Sequence, residues 1–285
     1  MQLSTKVSTL QTYLRQQRVL RKRVAFIPTM GALHEGHLSL VDIGQQKADI
    51  TVVSIFVNPT QFNNPDDLLK YPRMLEKDAW MLENRNTDIL FAPVPEEIYP
   101  PGLETQVELD LQGLDEVMEG EFRPGHFKGM LQVVKRLLDI VGPDSLVMGQ
   151  KDFQQFTLVR HMIQSLKLPV QLIIGPTLRE PDGLAMSSRN MRLTPEFRKI
   201  APVLYQVLTQ LRKDLDSGSL DTAVQTGLMR IENSGLRPEY LSVVDAFSLK
   251  KVITPGKHSH LVACVAAWAG DIRLIDNLML KGSLD

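Results

Sequence analysis

The chain has 285 residues, 43% apolar and 23% charged, the make-up of an ordinary globular protein long enough to bury a sizeable core. With 32 basic and 33 acidic residues the formal net charge is −1, so the general basic surface of a nucleic-acid-binding protein is not expected, though a local phosphate pocket is compatible. The single cysteine, Cys264, rules out an intrachain disulfide and, within the apolar run HLVACVAAWA, reads as a buried structural thiol. Residues 1–20 lack the apolar core of a signal peptide, and no stretch reaches the ~18 apolar residues of a membrane span. A cytoplasmic location without membrane partners is the expectation.

In chain order, residues 3–20 read as an amphipathic helix, with Val7, Leu10, Leu14 and Val19 near helical spacing. Val24–Met30 reads as a buried strand, Glu35–Lys47 as a helix, and the almost continuously apolar Ile50–Val57 as a second strand of the kind found in covered parallel sheets. A helix over 74–85, a short strand over Asp88–Ala92 and a Pro/Gly-rich loop over 93–104 follow. The alternation resumes with a helix over Gly129–Val141, a strand over Ser145–Met148, a helix over Phe153–Leu166 and a strand over Val170–Ile174. Such βαβ alternation predicts an α/β fold, a Rossmann-like doubly wound parallel sheet that binds ligands beyond the carboxyl ends of its strands. After about residue 176 the pattern changes to helices over Pro195–Leu215 and Asp221–Ser234, then strands over Tyr240–Ala246, His260–Ala269 and Ile272–Leu280. The expected division is therefore a catalytic domain of residues 1–176 and a smaller C-terminal α+β domain of residues 177–285.

Three polar, glycine-containing or amide-rich segments fall just after predicted strands. In Thr29-Met30-Gly31-Ala32-Leu33-His34-Glu35-Gly36-His37 the glycine after the strand suits close approach of backbone to a ligand. His34 and His37, three apart at a helix start, suit phosphate oxygens, beside backbone N–H groups at the positive end of the helix. Ordinary surface histidines are the competing reading, as is zinc, although HEGH lacks the i, i+4 pair of HExxH. Asn58-Pro59-Thr60-Gln61 offers neutral amides that orient a polar substrate, or is simply a turn. In Gly149-Gln150-Lys151-Asp152-Phe153-Gln154-Gln155, Lys151 suits phosphates, Asp152 suits a helix cap and Gln155 lies one turn further on. A fourth segment, Met186-Ser187-Ser188-Arg189-Asn190, combines hydroxyls and a guanidinium that can grip an anion, against the reading of a solvated loop. Lying next to the domain boundary, it could act as a lid. No GxxxxGK[ST], GxGxxG or GxSxG segment is present, which argues against P-loop, dinucleotide-dehydrogenase and α/β-hydrolase chemistry.

PTMGALHEGH, FVNPTQF, RPGHF, GQKDFQQ and MSSRN, in that order, resemble the pantothenate synthetase (pantoate–β-alanine ligase) family over nearly the whole chain. That family belongs to the HIGH-type nucleotidyltransferases, and MSSRN stands where related enzymes carry a mobile KMSKS loop. The resemblance implies attack of the pantoate carboxylate on the α-phosphorus of ATP, release of pyrophosphate, and capture of the pantoyl adenylate by β-alanine to give pantothenate and AMP. It also implies Mg²⁺ carried on the ATP phosphates rather than held by protein side chains, and a homodimer. Residue by residue, it makes His37 the proton donor and charge stabiliser with His34 beside it. Lys151, Ser187, Ser188 and Arg189 would hold the β- and γ-phosphates. Gly149 and Asp152 would contact the nucleoside, and Met30 and Leu178 would line its pocket. Gly31, Ala32, Leu33, Glu35, Gly36, Gln150 and Met186 complete the expected ATP-binding set. Gln61 and Gln155 would bind pantoate, Gln61 would also meet β-alanine, and Asn58 and Arg123 would support the site from its rim. A dinucleotide-forming adenylyltransferase and a nucleotide-sensing domain are the rival functions.

Overall fold

The computed structural model describes residues 1–62, 65–215 and 219–284. The chain divides into two compact units. The first comprises residues 1–115, 120–149 and 155–175, and the second residues 116–119, 150–154 and 176–285.

The first unit begins with β1 (Gln2–Ser4), α1 (Val7–Val19), β2 (Val24–Thr29), α2 (Glu35–Lys47) and β3 (Ile50–Ile55). After a 3₁₀ turn at Pro59–Gln61 come α3 (Pro65–Lys70), α4 (Leu75–Asn84), β4 (Ile89–Phe91) and α5 (Pro95–Ile98). Then follow α6 (Glu119–Phe122), α7 (His126–Val141), β5 (Ser145–Gly149), α8 (Phe153–Ser165) and β6 (Gln171–Gly175), with α6 and α8 running across the division between units. The strands form one parallel sheet in the order β1-β4-β3-β2-β5-β6. Without β1 this is the doubly wound order, and the strand order reverses between β2 and β5, where such sheets open a crevice at their carboxyl ends. Thr29 and Gly149 end those two strands.

The local physics is visible in single residues. β2 and β3 are almost fully buried, as a sheet covered on both faces requires. α2 buries Leu38, Leu40, Val41 and Gly44. Its close approach depends on Gly175, where an added Cβ would lie 2.3 Å from Leu40 Cδ2. α7 buries Met130, Val134, Leu137, Leu138 and Val141 at helical spacing, and its Gly142 cap donates to the Leu138 carbonyl at 2.7 Å.

The second unit contains α9 (Pro195–Ile200), α10 (Val203–Asp214) and α11 (Leu220–Asn233), then an antiparallel meander of β7 (Arg237–Asp245), β8 (Leu261–Ala269) and β9 (Ile272–Lys281). Leu204, Val207, Leu208 and Leu211 of α10 pack with Leu241, Val243, Val265 and Leu274 of the sheet. Cys264 is buried, and burial pushes its thiol pKa up, so it is inert packing.

Several elements differ from the sequence reading; the expected loop over 93–104 carries the short helix α5, with Pro95 at its first position. The expected helix over 3–20 starts later, because residues 2–4 form β1 beside β4, and the Gln2 N–H donates to the Asp88 carbonyl at 2.8 Å. Val19 is correspondingly exposed while Leu10 and Leu14 are buried. The single helix expected over 195–215 is two, separated at Ala201–Pro202, since Pro202 has no N–H to continue the ladder.

Candidate active site

The segment after β2 reverses sharply. Gly31 and Ala32 both adopt left-handed backbone, with φ of 84° and 50°. The conformation is held by Asp78 of α4, whose Oδ2 accepts the Ala32 amide and Oδ1 the Leu33 amide, each at 2.8 Å. Asp78 is 1% exposed, and burial pushes its carboxyl up against the downward pull of the two amides. A Cβ on Gly31 would stand 2.9 Å from Ile55 Cγ2 and 3.0 Å from Asp78 Oδ2. The glycine therefore also makes room for protein.

The two histidines build the start of α2. His34 Nδ1 accepts the Gly36 amide at 3.2 Å, and His37 Nδ1 accepts the His34 amide at 3.3 Å, a reciprocal capping box made of imidazoles. Their ring centroids are 4.1 Å apart. Because each Nδ1 is an acceptor, the hydrogen of each neutral ring sits on Nε2, and both rings become Nε2–H donors. Three of the residues expected to bind ATP make contacts within the protein. Leu33 is 5% exposed in the core with its amide on Asp78, and the Ala32 amide is likewise committed to Asp78. Glu35 turns an exposed carboxylate to Arg85 at 3.5 Å.

The turn after β3 lies against this segment. Gln61 is 8% exposed and its Nε2 donates to Met30 Sδ at 3.2 Å, so the Met30 and Gln61 side chains meet. Asn58, expected at the rim, is instead 1% exposed. Its Nδ2 donates to Gln61 Oε1 and to the Gly129 carbonyl, and its Oδ1 accepts from Tyr99 Oη at 2.9 Å. A turn that must pack under α7 needs its amide paired internally. Gly129 allows that packing, since a Cβ there would lie 2.2 Å from the Thr60 carbonyl oxygen. His126 Nδ1 meets the Gln61 carbonyl oxygen at 2.8 Å. Arg123 is half-buried just before α7, and Gln155 is half-buried in the first turn of α8.

In the second unit, Gln150, Lys151 and Asp152 form the turn into α8, with Lys151 half-buried and Asp152 exposed. Gln154 is structural: its side chain accepts the Glu119 amide at 3.0 Å and donates to the Val117 carbonyl at 2.8 Å. Residues 178–186 form a hairpin-like reversal, in which the Met186 amide donates to the Leu178 carbonyl at 3.0 Å. Leu178 and Met186 are thus brought together, with Leu178 40% exposed. Ser187 caps the following 3₁₀ turn through the Arg189 amide, Ser188 is buried within it, and Arg189 is half-buried.

Asp78, Tyr99, Gly129 and the β9 pair Asp276–Asn277 escaped the sequence reading. The available signals were an acidic residue in the apolar stripe Leu75–Asp78–Leu82 of α4 and a polar pair interrupting the apolar β9.

Fold and site together define a Rossmann-like α/β enzyme with an HxGH segment at the switch point of its sheet. A family profile described as pantoate–β-alanine ligase matches residues 2–279. Pantothenate synthetase from Thermus thermophilus is 40% identical, covering 99% of this chain and 100% of that one, with a TM-score of 0.92. Pantoate–β-alanine ligase from Francisella tularensis, complexed with β,γ-ATP and β-alanine, is 35% identical over 98% of each chain, with a TM-score of 0.82. The chain belongs to the pantoate–β-alanine ligase family, and it is an ATP-dependent, carbon–nitrogen bond-forming ligase.

Proposed function

We propose that the chain condenses (R)-pantoate with β-alanine through a pantoyl adenylate, in the pathway to pantothenate and coenzyme A. A carboxylate oxygen of pantoate attacks the α-phosphorus of ATP, and the bond to pyrophosphate breaks. The β-alanine amine then attacks the acyl carbon, its proton is lost, and AMP leaves in place of an oxygen that would otherwise leave badly. The single observation that carries this reading is the reciprocal capping of His34 and His37, which commits both Nδ1 atoms to backbone and makes both Nε2–H groups donors. Preorganised donors of this kind stabilise charge developing on phosphoryl oxygens without reorganisation during the reaction. His37 is assigned as proton donor and charge stabiliser, with His34 on the phosphates.

Lys151, Ser187, Ser188 and Arg189 are assigned to the β- and γ-phosphates, and Gly149, Gln150 and Asp152 to the nucleotide. Met30, Leu178 and Met186 are assigned to the nucleoside pocket, with Gly31 and Gly36 as backbone contributors. Gln61 and Gln155 are assigned to pantoate, and Gln61 also to β-alanine. A neutral amide suits a hydroxy acid whose carboxylate must stay nucleophilic. Among the described residues no group of three or more His, Cys, Asp or Glu side chains is arranged to hold a metal ion. Mg²⁺ is assigned to the ATP phosphates, whose charge it would neutralise. Movement of residues 177–285 as a lid, a homodimeric state and a cytoplasmic location belong to the same proposal. Among the described residues no helix is long and apolar enough to cross a membrane.

The test is AMP and pyrophosphate release from ATP and Mg²⁺, with pantoate and β-alanine added singly and together. Pantothenate formed only with all substrates present supports the reading. Transfer of AMP to a phosphate ester, with no dependence on the acid and amine, would replace it with the adenylyltransferase.

A further inference from the structure

We propose that Asn277, braced by the Asp276–Arg179 ion pair, is a positioning residue that sets the phosphate-handling groups of the second unit. The inference rests on the assignment of Lys151 to ATP phosphates. Asn277 lies in β9, is 2% exposed, and commits its whole amide to the turn that carries Lys151. Its Nδ2 donates to the Gln150 carbonyl at 3.0 Å and to the Lys151 carbonyl at 2.9 Å, while its Oδ1 accepts from Gln150 Nε2 at 3.2 Å. Two of these bonds hold the main-chain carbonyls on either side of the Lys151 Cα, the third holds the Gln150 side chain, and together they set where the lysine side chain departs.

The neighbouring residue ties the other anion-gripping segment to the same strand. Asp276 is 4% exposed and takes a bidentate pair from Arg179, at 2.6 Å and 3.0 Å, and it also accepts the Asn277 amide at 2.8 Å. Arg179 stands in the 178–186 reversal that leads into Ser187–Arg189. It donates to the Gly183 carbonyl at 3.1 Å and to the Asn277 carbonyl at 3.3 Å, with its guanidinium 3.8 Å from the centre of the Tyr205 ring. A paired and fully bonded buried carboxylate is costly to assemble and is conformationally specific once assembled. Two adjacent polar residues of one strand thus hold both loops in fixed register. A packing role alone would be served by an apolar side chain.

The experiment is a double-mutant cycle in the full-length protein. Asn277→Ala is made in the wild type and in Lys151→Ala, and kcat/KM for ATP, ATP affinity by calorimetry and Tm are measured. In the wild type we expect a loss of about tenfold to a hundredfold in kcat/KM, the scale of a misplaced reacting group, with the KM for pantoate unchanged. In Lys151→Ala the same substitution should cost less than about twofold. Equal losses in both backgrounds, or a folded Asn277→Ala within twofold of wild type, would overturn the inference. Near-normal activity of Lys151→Ala removes the lysine assignment and this inference with it, whereas a crippled Lys151→Ala beside a normal Asn277→Ala removes the positioning role alone. Should Asn277→Ala not fold, Asn277→Asp keeps the size and the acceptor but loses both donors, and the same pattern is expected. An Asn277→Asp chain that also fails to fold makes Asn277 a core residue and overturns the inference.

Discussion

The two turns assigned to phosphate chemistry are built in opposite ways. The turn at residues 30–37 is largely closed by its own residues: each histidine caps the helix it begins, through bonds spanning two or three residues. From further along the chain, Asp78 holds the Ala32 and Leu33 amides. The turn at residues 149–152 has its support from Asn277, more than a hundred residues away. A helix start supplies unsatisfied N–H groups that local side chains can satisfy. The Gln150 and Lys151 carbonyls take their donor from a distant strand. The first design preorganises side-chain donors, and the second preorganises the backbone beneath a flexible lysine.

The sharpest test of this contrast is on activity. His37→Ala should lower kcat/KM by at least ~10²-fold, the usual scale of an acid/base or charge-stabilising group, in steady-state assays of a folded variant. Near-normal turnover would remove the imidazole from the mechanism and leave its role as a cap only.

Next in size is the long-range support of the local turn. Asp78→Ala leaves the Ala32 and Leu33 amides buried without their acceptor. The expected cost is about 2–4 kcal/mol, read as a fall in denaturation midpoint with unchanged m-value. A cost below about 1 kcal/mol would show that the turn holds itself and would widen the contrast. Gly31→Ala follows, because a left-handed φ and contacts at 2.9 Å and 3.0 Å both oppose a Cβ. About 1–2 kcal/mol is expected, measured by thermal unfolding.

The smallest effect lies away from both turns. Glu97 accepts the Val7 amide at 2.8 Å and pairs with Lys6 at 3.0 Å, and the amide first, then the lysine, holds its carboxyl below the usual range. A depressed carboxylate contributes stability above its unfolded pKa and loses it as pH falls through the folded one. Glu97→Gln should therefore lower Tm by about 1–2 °C at pH 7, and the gap to wild type should close as pH falls through the depressed folded pKa. A gap that persists in acid would mean the glutamate acts by packing.

Much was legible in the residues themselves. The βαβ alternation of apolar strands and amphipathic helices pointed to the doubly wound sheet. The spacing of His34 and His37 placed them together at a helix start, because three residues is nearly one helical turn. β1 was not legible, since a three-residue strand exists only through its pairing with β4. The hairpin over 178–186 was missed for the same reason: its bonds join positions that carry no periodic pattern.

By itself, then, the sequence determined the elements and the motifs, whose signals come from periodicity and from bonds between near neighbours. Only the tertiary structure decided what stands behind the motifs: Asp78 under the first turn, Asn58 and Gly129 under Gln61, and Asn277 with Asp276 under Lys151. A buried polar side chain reads locally as a flaw in an apolar stripe. It becomes a support only when folding brings the backbone group it satisfies within about 3 Å.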